Sequence, residues 1–143
     1  MKTLKTMILG VGAVALLGAS GLSAQTRAIA DIPFEFTVQN TTLPAGEYTM
    51  SATSTGHDLM LIQNVKAHQA IIVLAPGNRS EYKGTNDKNV VLFHRIENRY
   101  FLAEVQTDAV RGHVGPSKLE RELASEGSSQ PLAAVIIPAL SIR

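Results

Sequence analysis

Apolar and polar side chains alternate through much of the chain after residue 30, with the period of two that is typical of β-strands with one buried face. In residues 31–38, for example, Ile32, Phe34 and Phe36 fall on one side and their neighbours fall on the other. Six segments are predicted as strands: residues 31–38, 47–53, 59–64, 70–74, 90–96 and 100–107. Short strands at a spacing of about ten residues predict an all-β, mainly antiparallel fold, either a small β-sandwich or a barrel.

Two pairs of these segments carry further information. Residues 59–64 and 70–74 are continuous apolar runs, which are typical of strands covered on both faces. Residues 90–96 and 100–107 are separated only by the polar residues 97–99, so we expect them to form a hairpin.

One short helix is predicted near residues 117–125. The Ser117 hydroxyl can cap the free amides of a first helical turn, and Glu120, three residues later, can reach back to the start of the helix. Leu119 and Leu123 lie one turn apart and give the helix a narrow apolar stripe.

The first 24 residues have the layout of a secretory signal peptide. Lys2 and Lys5 precede an apolar run at residues 7–17, and small residues follow up to Ala24. A bilayer span needs about 20 apolar residues, so we expect a leader that is cleaved and leaves no stable membrane span. The cut is predicted after Ala24, with a cut after Ala30 as the alternative. Export places the protein in the periplasm, at the cell surface or outside the cell.

Removal of the leader leaves 119 of the 143 residues, a length that normally forms one domain. We assign residues 25–126 to a β domain and residues 127–143 to an apolar C-terminal tail. The leader carries two of the 13 Lys and Arg, so the remaining chain has 11 basic and 12 acidic residues and a net charge of −1. A nearly neutral protein lacks the basic excess that nucleic-acid binding requires. Cysteine is absent, which excludes disulfides.

The tail contains the apolar run Val135, Ile136 and Ile137, which has high β propensity. This run could close a sheet of its own domain, which is the favoured interpretation because exposed apolar strands promote aggregation. It could instead act as an interaction tail that adds a strand to another molecule. The partners predicted in that case are a second copy of the chain or another envelope protein.

Four motifs resemble those of a group of small secreted bacterial proteins of unknown function. They are IPFEFTV at residues 32–38, LPAGEYT at 43–49, FHR at 93–95 and SKLEREL at 117–123. The resemblance implies a secreted β domain, and it brings no activity, ligand or catalytic residue with it.

No catalytic motif stands out in the sequence. The nucleophile motif Gly-x-Ser-x-Gly is absent, and the four His, at positions 57, 68, 94 and 113, do not have the spacing of zinc ligands. We therefore expect a protein without enzymatic activity, metal or cofactor.

His94, Arg95 and Tyr100 are the candidate ligand-binding residues, because they lie in or beside the predicted hairpin and combine polar and aromatic groups. Glu104 shares the alternation of Tyr100, and Arg95 on the paired strand would be its simplest partner.

The pattern favours an exported, non-enzymatic β domain that acts by binding or assembly. The first alternative is a module that binds a small ligand or a carbohydrate, and the second is a hydrolase whose catalytic residues meet only in the fold.

Overall fold

The computed structural model describes residues 26–53, 58–77, 89–126 and 133–142. These residues form the strands β1 (Arg27–Ile32), β2 (Phe36–Val38), β3 (Thr41–Leu43), β4 (Gly46–Ala52), β5 (Leu59–Asn64), β6 (Gln69–Leu74), β7 (Val90–Ile96), β8 (Arg99–Gln106), β9 (Arg111–His113), β10 (Ala133–Pro138) and β11 (Leu140–Ile142), and the helix α1 (Lys118–Glu126).

The strands form two sheets that pack face to face. The first sheet has the order β11-β1-β4-β5-β6, and all its pairs are antiparallel. The second has the order β10-β7-β8-β2-β3, with β9 also paired to β8, and its one parallel contact joins β2 to β8. The predicted all-β, mainly antiparallel fold with one short helix is confirmed, and the architecture is sandwich-like.

The core lies between the sheets and is built from alternate residues of each strand. Its largest fully buried side chains include Tyr48, Phe36, Phe93, Ile32, Met50, Met60, Ile62 and Leu102. Full burial of one such side chain is worth about 1.5–3 kcal/mol, so this layer supplies the main stabilisation of a chain without disulfides.

The strand predicted at residues 31–38 is in fact two strands in different sheets. β1 ends at Ile32, β2 begins at Phe36, and residues 33–35 carry the chain from the first sheet to the second. Pro33 has no N–H to donate, so the ladder of β1 does not continue through it. The alternation continues across the break because both sheets bury their inner faces in the same core.

The prediction that β5 and β6 are covered on both faces is wrong. The inner side chains Met60, Ile62 and Val73 are buried, but Ile72 and Leu74 on the outer face of β6 are each 58% exposed. The helix α1 packs on β7 in the second sheet, so among the described residues no helix covers the outer face of the first.

The helix starts where its cap predicts. The backbone N–H of Glu120 donates to the Ser117 hydroxyl at 3.0 Å, and this hydroxyl satisfies one of the free amides of the first turn. Lys118 and Glu122, one turn apart on the exposed side, lie 3.8 Å from each other.

Two corners connect the sheets along their edges. At one corner the tail leaves β10 in the second sheet, bends at the buried Ala139, and continues as β11 in the first sheet. At the other, the N–H of His113 on β9 donates to the carbonyl of Pro76, just after β6, at 3.1 Å. Gly112 is required at that corner, because an added Cβ would lie 2.6 Å from the Ala75 carbonyl oxygen.

The predicted leader, residues 1–24, lies outside the described residues, but β1 bears on its two candidate cleavage points. β1 begins at Arg27 and lies between β11 and β4 in the first sheet. A cut after Ala30 would remove four of its six residues, including the buried Ala28 and Ala30. A cut after Ala24 would leave the whole of β1 in the chain.

Candidate functional site

The three residues predicted to line a ligand site do not share one surface. Arg95 on β7 and Tyr100 on β8 are direct cross-strand partners, and the Arg95 guanidinium carbon lies 5.9 Å from the centre of the Tyr100 ring. That separation is within the range of cation–π contacts. His94 precedes Arg95 on the same strand, so the pleat directs its side chain to the opposite face of the sheet. The structure brings together two of the three.

His94 contacts the helix. Its Nδ1 donates to Oε1 of Glu120 at 2.8 Å, and only 7% of the Glu120 side chain is exposed. Because His94 lies on β7 and Glu120 on α1, this contact holds the helix against the outer face of the second sheet. The sequence pattern predicts that the Glu120 carboxylate folds back on its own first turn. The structure gives it this charge-assisted partner on the sheet.

Glu104 is buried, but its predicted salt bridge with Arg95 is wrong. The register places Glu104 opposite Leu92 on β7 and opposite His113 on β9, whereas Arg95 lies opposite Tyr100 near the turn of the hairpin. The pairing runs regularly from the turn to Phe93 and Leu102, and a β-bulge between Leu92 and Phe93 then shifts it by one residue. Glu104 therefore lies three positions along β7 from Arg95.

A groove lies at the end of the second sheet, beside Tyr100. Its volume is about 410 Å³, and it is lined by Phe34, Glu35, Phe36, Thr37, Thr42, Asn98, Arg99, Tyr100 and Leu119. These residues come from the crossing between the sheets, the β2–β3 hairpin, the β7–β8 turn and the helix. Ligand sites in proteins commonly have volumes of about 300–1,000 Å³, so the groove is large enough for a small organic molecule.

The apolar wall of the groove is continuous with the core. The Phe34 ring stacks on the Tyr100 ring, with centres 3.8 Å apart and planes 15° from parallel. Phe34 also packs edge-on against the buried Phe93 at 5.1 Å, and Phe93 packs edge-on against Phe36. Aromatic contacts of these kinds add to burial, so the wall is held in place by the core.

The polar side of the groove presents donors and acceptors together. The Thr37 and Thr42 hydroxyls are 3.4 Å apart across the β2–β3 pair. Glu35, Asn98 and Arg99 are exposed and add a carboxylate, an amide and a guanidinium to the lining. One negative and one positive group leave this lining without net formal charge.

Sequence reasoning found Tyr100 in this groove and missed the rest of its lining. Phe34 and Glu35 lie in the crossing that alternation alone assigns to a continuous strand. Thr37 reaches the site because β2 pairs in parallel with β8, at Thr37 and Phe101. No local pattern indicates that contact, since it joins segments more than sixty residues apart in the chain.

The groove does not contain the group of a histidine and two acids that the hydrolase alternative predicts at a pocket floor. The groove lining includes one carboxylate, Glu35, and no histidine. Within the described ranges, His, Asp and Glu side chains do not gather in groups of three or more that could hold a metal ion.

The predicted interaction tail pairs with strands of its own chain. Val135, Ile136 and Ile137 lie in β10, opposite residues 91–93 of β7. Val135 and Ile137 are half-buried and pack against the core, whereas Ile136 faces outward and is exposed. The tail therefore forms one edge of each sheet.

A second candidate surface lies at the β6 edge of the first sheet, opposite the β11 edge. Along this edge β6 pairs with β5 on one side, and no strand of the described residues pairs with its other side. The register places Ile72 beside Leu61 and Leu74 beside Leu59 on the outer face. We call these four side chains the outer patch. β6 has the sequence QAIIVL, with no charged residue and no proline.

The chain was compared with known proteins, and no family model, curated protein or solved structure matches it. In the described part of the chain, none of the helical structure has the length and apolar character needed to cross a membrane.

Proposed function

We propose that this chain is an exported, non-enzymatic β-sandwich domain that assembles with a second copy of itself through the outer edge of β6. The observation that carries the proposal is the uncharged strand β6, whose outer edge pairs with no strand of the described residues and which carries two exposed aliphatic side chains. Export follows from the predicted leader.

The other sheet edges carry features that oppose pairing, and β6 does not. β3, β9 and β11 are three residues long, and β10 ends at Pro138, which cannot donate a hydrogen bond. Natural proteins protect free edges by shortness, proline, bulges or charge. β6 has six residues and none of these features, so its edge can accept another strand.

The β6 sequence is compatible with its own copy. In an antiparallel pair centred on Ile72, Ile72 lies opposite the same residue of the second copy, Ala70 lies opposite Leu74, and Ile71 lies opposite Val73. Outward residues then meet outward residues, and inward residues meet inward ones. The two-fold axis passes beside Ile72 and pairs β6 with an identical strand, so like charges on β6 would come close to one another, and β6 has no charge.

This pairing joins the two first sheets into one sheet of ten strands. It also brings the outer patch of each copy, formed by Leu59, Leu61, Ile72 and Leu74, beside that of the other. The association therefore combines backbone hydrogen bonds with the burial of aliphatic side chains.

The experiment is sedimentation velocity over a concentration series, on protein purified after expression of the whole chain with its own leader. We expect a monomer–dimer equilibrium. Ile72→Lys should abolish the dimer, because two lysines would face each other at the two-fold axis. Since Ile72 is largely exposed, the variant should keep its far-ultraviolet circular dichroism and unfolding midpoint.

Leu140→Lys is the matched control. Leu140 is also an exposed aliphatic residue on an edge strand, 70% exposed on β11 at the opposite edge of the same sheet. It should leave the dimer intact. A protein that stays monomeric throughout the series, or a dimer that survives Ile72→Lys and dissociates with Leu140→Lys, would overturn the proposal.

A further inference from the structure

We propose that the groove at the end of the second sheet binds a small neutral sugar. This site is separate from the β6 edge, which belongs to the first sheet, so it adds a ligand-binding activity to the proposed assembly.

The two sides of the groove match the two sides of a sugar ring. Phe34, Tyr100 and Leu119 provide apolar surface for the face of a sugar that carries C–H groups. Because the aromatic rings are fixed by stacking and by contact with Phe93, little side-chain entropy is lost when a ligand packs on them.

The polar groups suit hydroxyls better than ions. A hydroxyl donates one hydrogen bond and accepts others, so adjacent sugar hydroxyls can donate to the Glu35 carboxylate and accept from the Arg99 guanidinium. The Thr37 and Thr42 hydroxyls, 3.4 Å apart, offer a second pair of groups that both donate and accept. An anion would meet the Glu35 carboxylate, and a cation would meet the Arg99 guanidinium.

The groove rests on elements that hold their shape. Asn98 and Arg99 follow Glu97, whose φ of 56° sets the tight turn between β7 and β8. Gln39, with a φ of 53°, sets the equivalent turn between β2 and β3, which carry Thr37 and Thr42. Since two tight hairpins present the polar groups, the site is formed before a ligand arrives.

The probes are cellobiose, maltose and N,N′-diacetylchitobiose, with glycylglycine as a zwitterion of comparable polarity. Binding is measured by saturation-transfer NMR and by isothermal titration calorimetry on protein purified in the same way as for sedimentation. At least one disaccharide should bind, and Arg99→Ala should weaken that binding by about tenfold or more, because a hydrogen bond from a charged donor is lost.

Thr42→Val tests the hydroxyl pair at an exposed position without removing a charge, and we expect it to weaken sugar binding as well. Glu97→Gln is the control, because it changes a charge on the same turn but does not line the groove. Thermal unfolding of each variant verifies that the fold is intact. Ile72→Lys should bind the sugar as the natural chain does, which separates this site from the assembly edge.

Three results would overturn the inference. The first is that none of the three disaccharides binds. The second is that glycylglycine binds in their place, which would make the groove a site for zwitterions. The third is that a disaccharide binds with equal affinity to the natural chain, Arg99→Ala and Thr42→Val, which would place the sugar elsewhere.

Discussion

Replacement of Tyr48 by Phe removes the hydroxyl of a core tyrosine and leaves its ring. Tyr48 has no exposed surface, its hydroxyl donates to the Pro44 carbonyl at 2.6 Å, and its ring packs edge-on against Phe36 at 5.1 Å. The variant keeps the ring contact and loses this hydrogen bond together with the one between the hydroxyl and the Asn64 side chain. The partner carbonyl is left without this donor, so we expect a loss of about 1–3 kcal/mol in the free energy of unfolding.

The same hydroxyl gives a second signature at alkaline pH. Burial raises the pKa of Tyr48 above its ordinary value of 10.0, and a hydrogen bond with the Asn64 side chain opposes part of that shift. Above pH 10 the unfolded chain therefore releases the Tyr48 proton before the folded chain does. The folded state then binds more protons, so stability falls as the pH rises from about 10 through the raised pKa. Below pH 10 the Tyr48 hydroxyl is protonated in both states, and its contribution to the free energy of unfolding is fully present.

Urea unfolding of the natural chain and of Tyr48→Phe, from pH 7 to pH 11, tests both signatures. The variant should be less stable at pH 7, and the difference should shrink above pH 10, because Phe does not titrate. The other two tyrosines are common to both proteins and cancel in the comparison. Equal stabilities at pH 7, or curves that stay parallel through pH 11, would refute the account of Tyr48.

Two further substitutions test the corner between the sheets and the helix cap. Gly112→Ala should lower the free energy of unfolding by about 1–3 kcal/mol or more, because its Cβ would lie 2.6 Å from the Ala75 carbonyl oxygen. Gly115→Ala, which meets no atom within 4 Å, should have little effect, and equal denaturation midpoints for the two would contradict the packing at this corner. Ser117→Ala should cost about 0.5–2 kcal/mol and speed hydrogen exchange at the Glu120 amide, and unchanged exchange would show that the cap does not stabilise the helix.

Local patterns in the sequence determine most of the secondary structure. The hairpin of β7 and β8 follows from two apolar segments separated by a few polar residues, and the turn at Glu97 sets its register as far as the β-bulge between Leu92 and Phe93. The helix follows from the Ser117 cap and from the spacing of Leu119 and Leu123. These features depend on residues close together in the chain, so a single sequence is enough to predict them.

Which sheet a strand joins is decided only by the tertiary structure. Ile32 lies in the first sheet and Phe36 in the second, yet both follow one alternation, because the two sheets bury their inner faces in the same core. The tail also changes sheet, because β10 before Ala139 lies in the second sheet and β11 after it lies in the first. A period of two identifies the buried face and carries no information about the neighbouring strand.

Both candidate surfaces depend on such long-range pairings. The sequence predicts the proximity of Tyr100 and Arg95 because they face each other across a local hairpin. Phe34 and Thr37 join Tyr100 only through the pairing of β2 with β8. The apolar run of β6 predicts a strand, but hydrophobicity alone does not predict which element packs on or pairs with that strand. The order of strands leaves β6 at an edge, and that order is set by packing of the whole chain, which no local segment encodes.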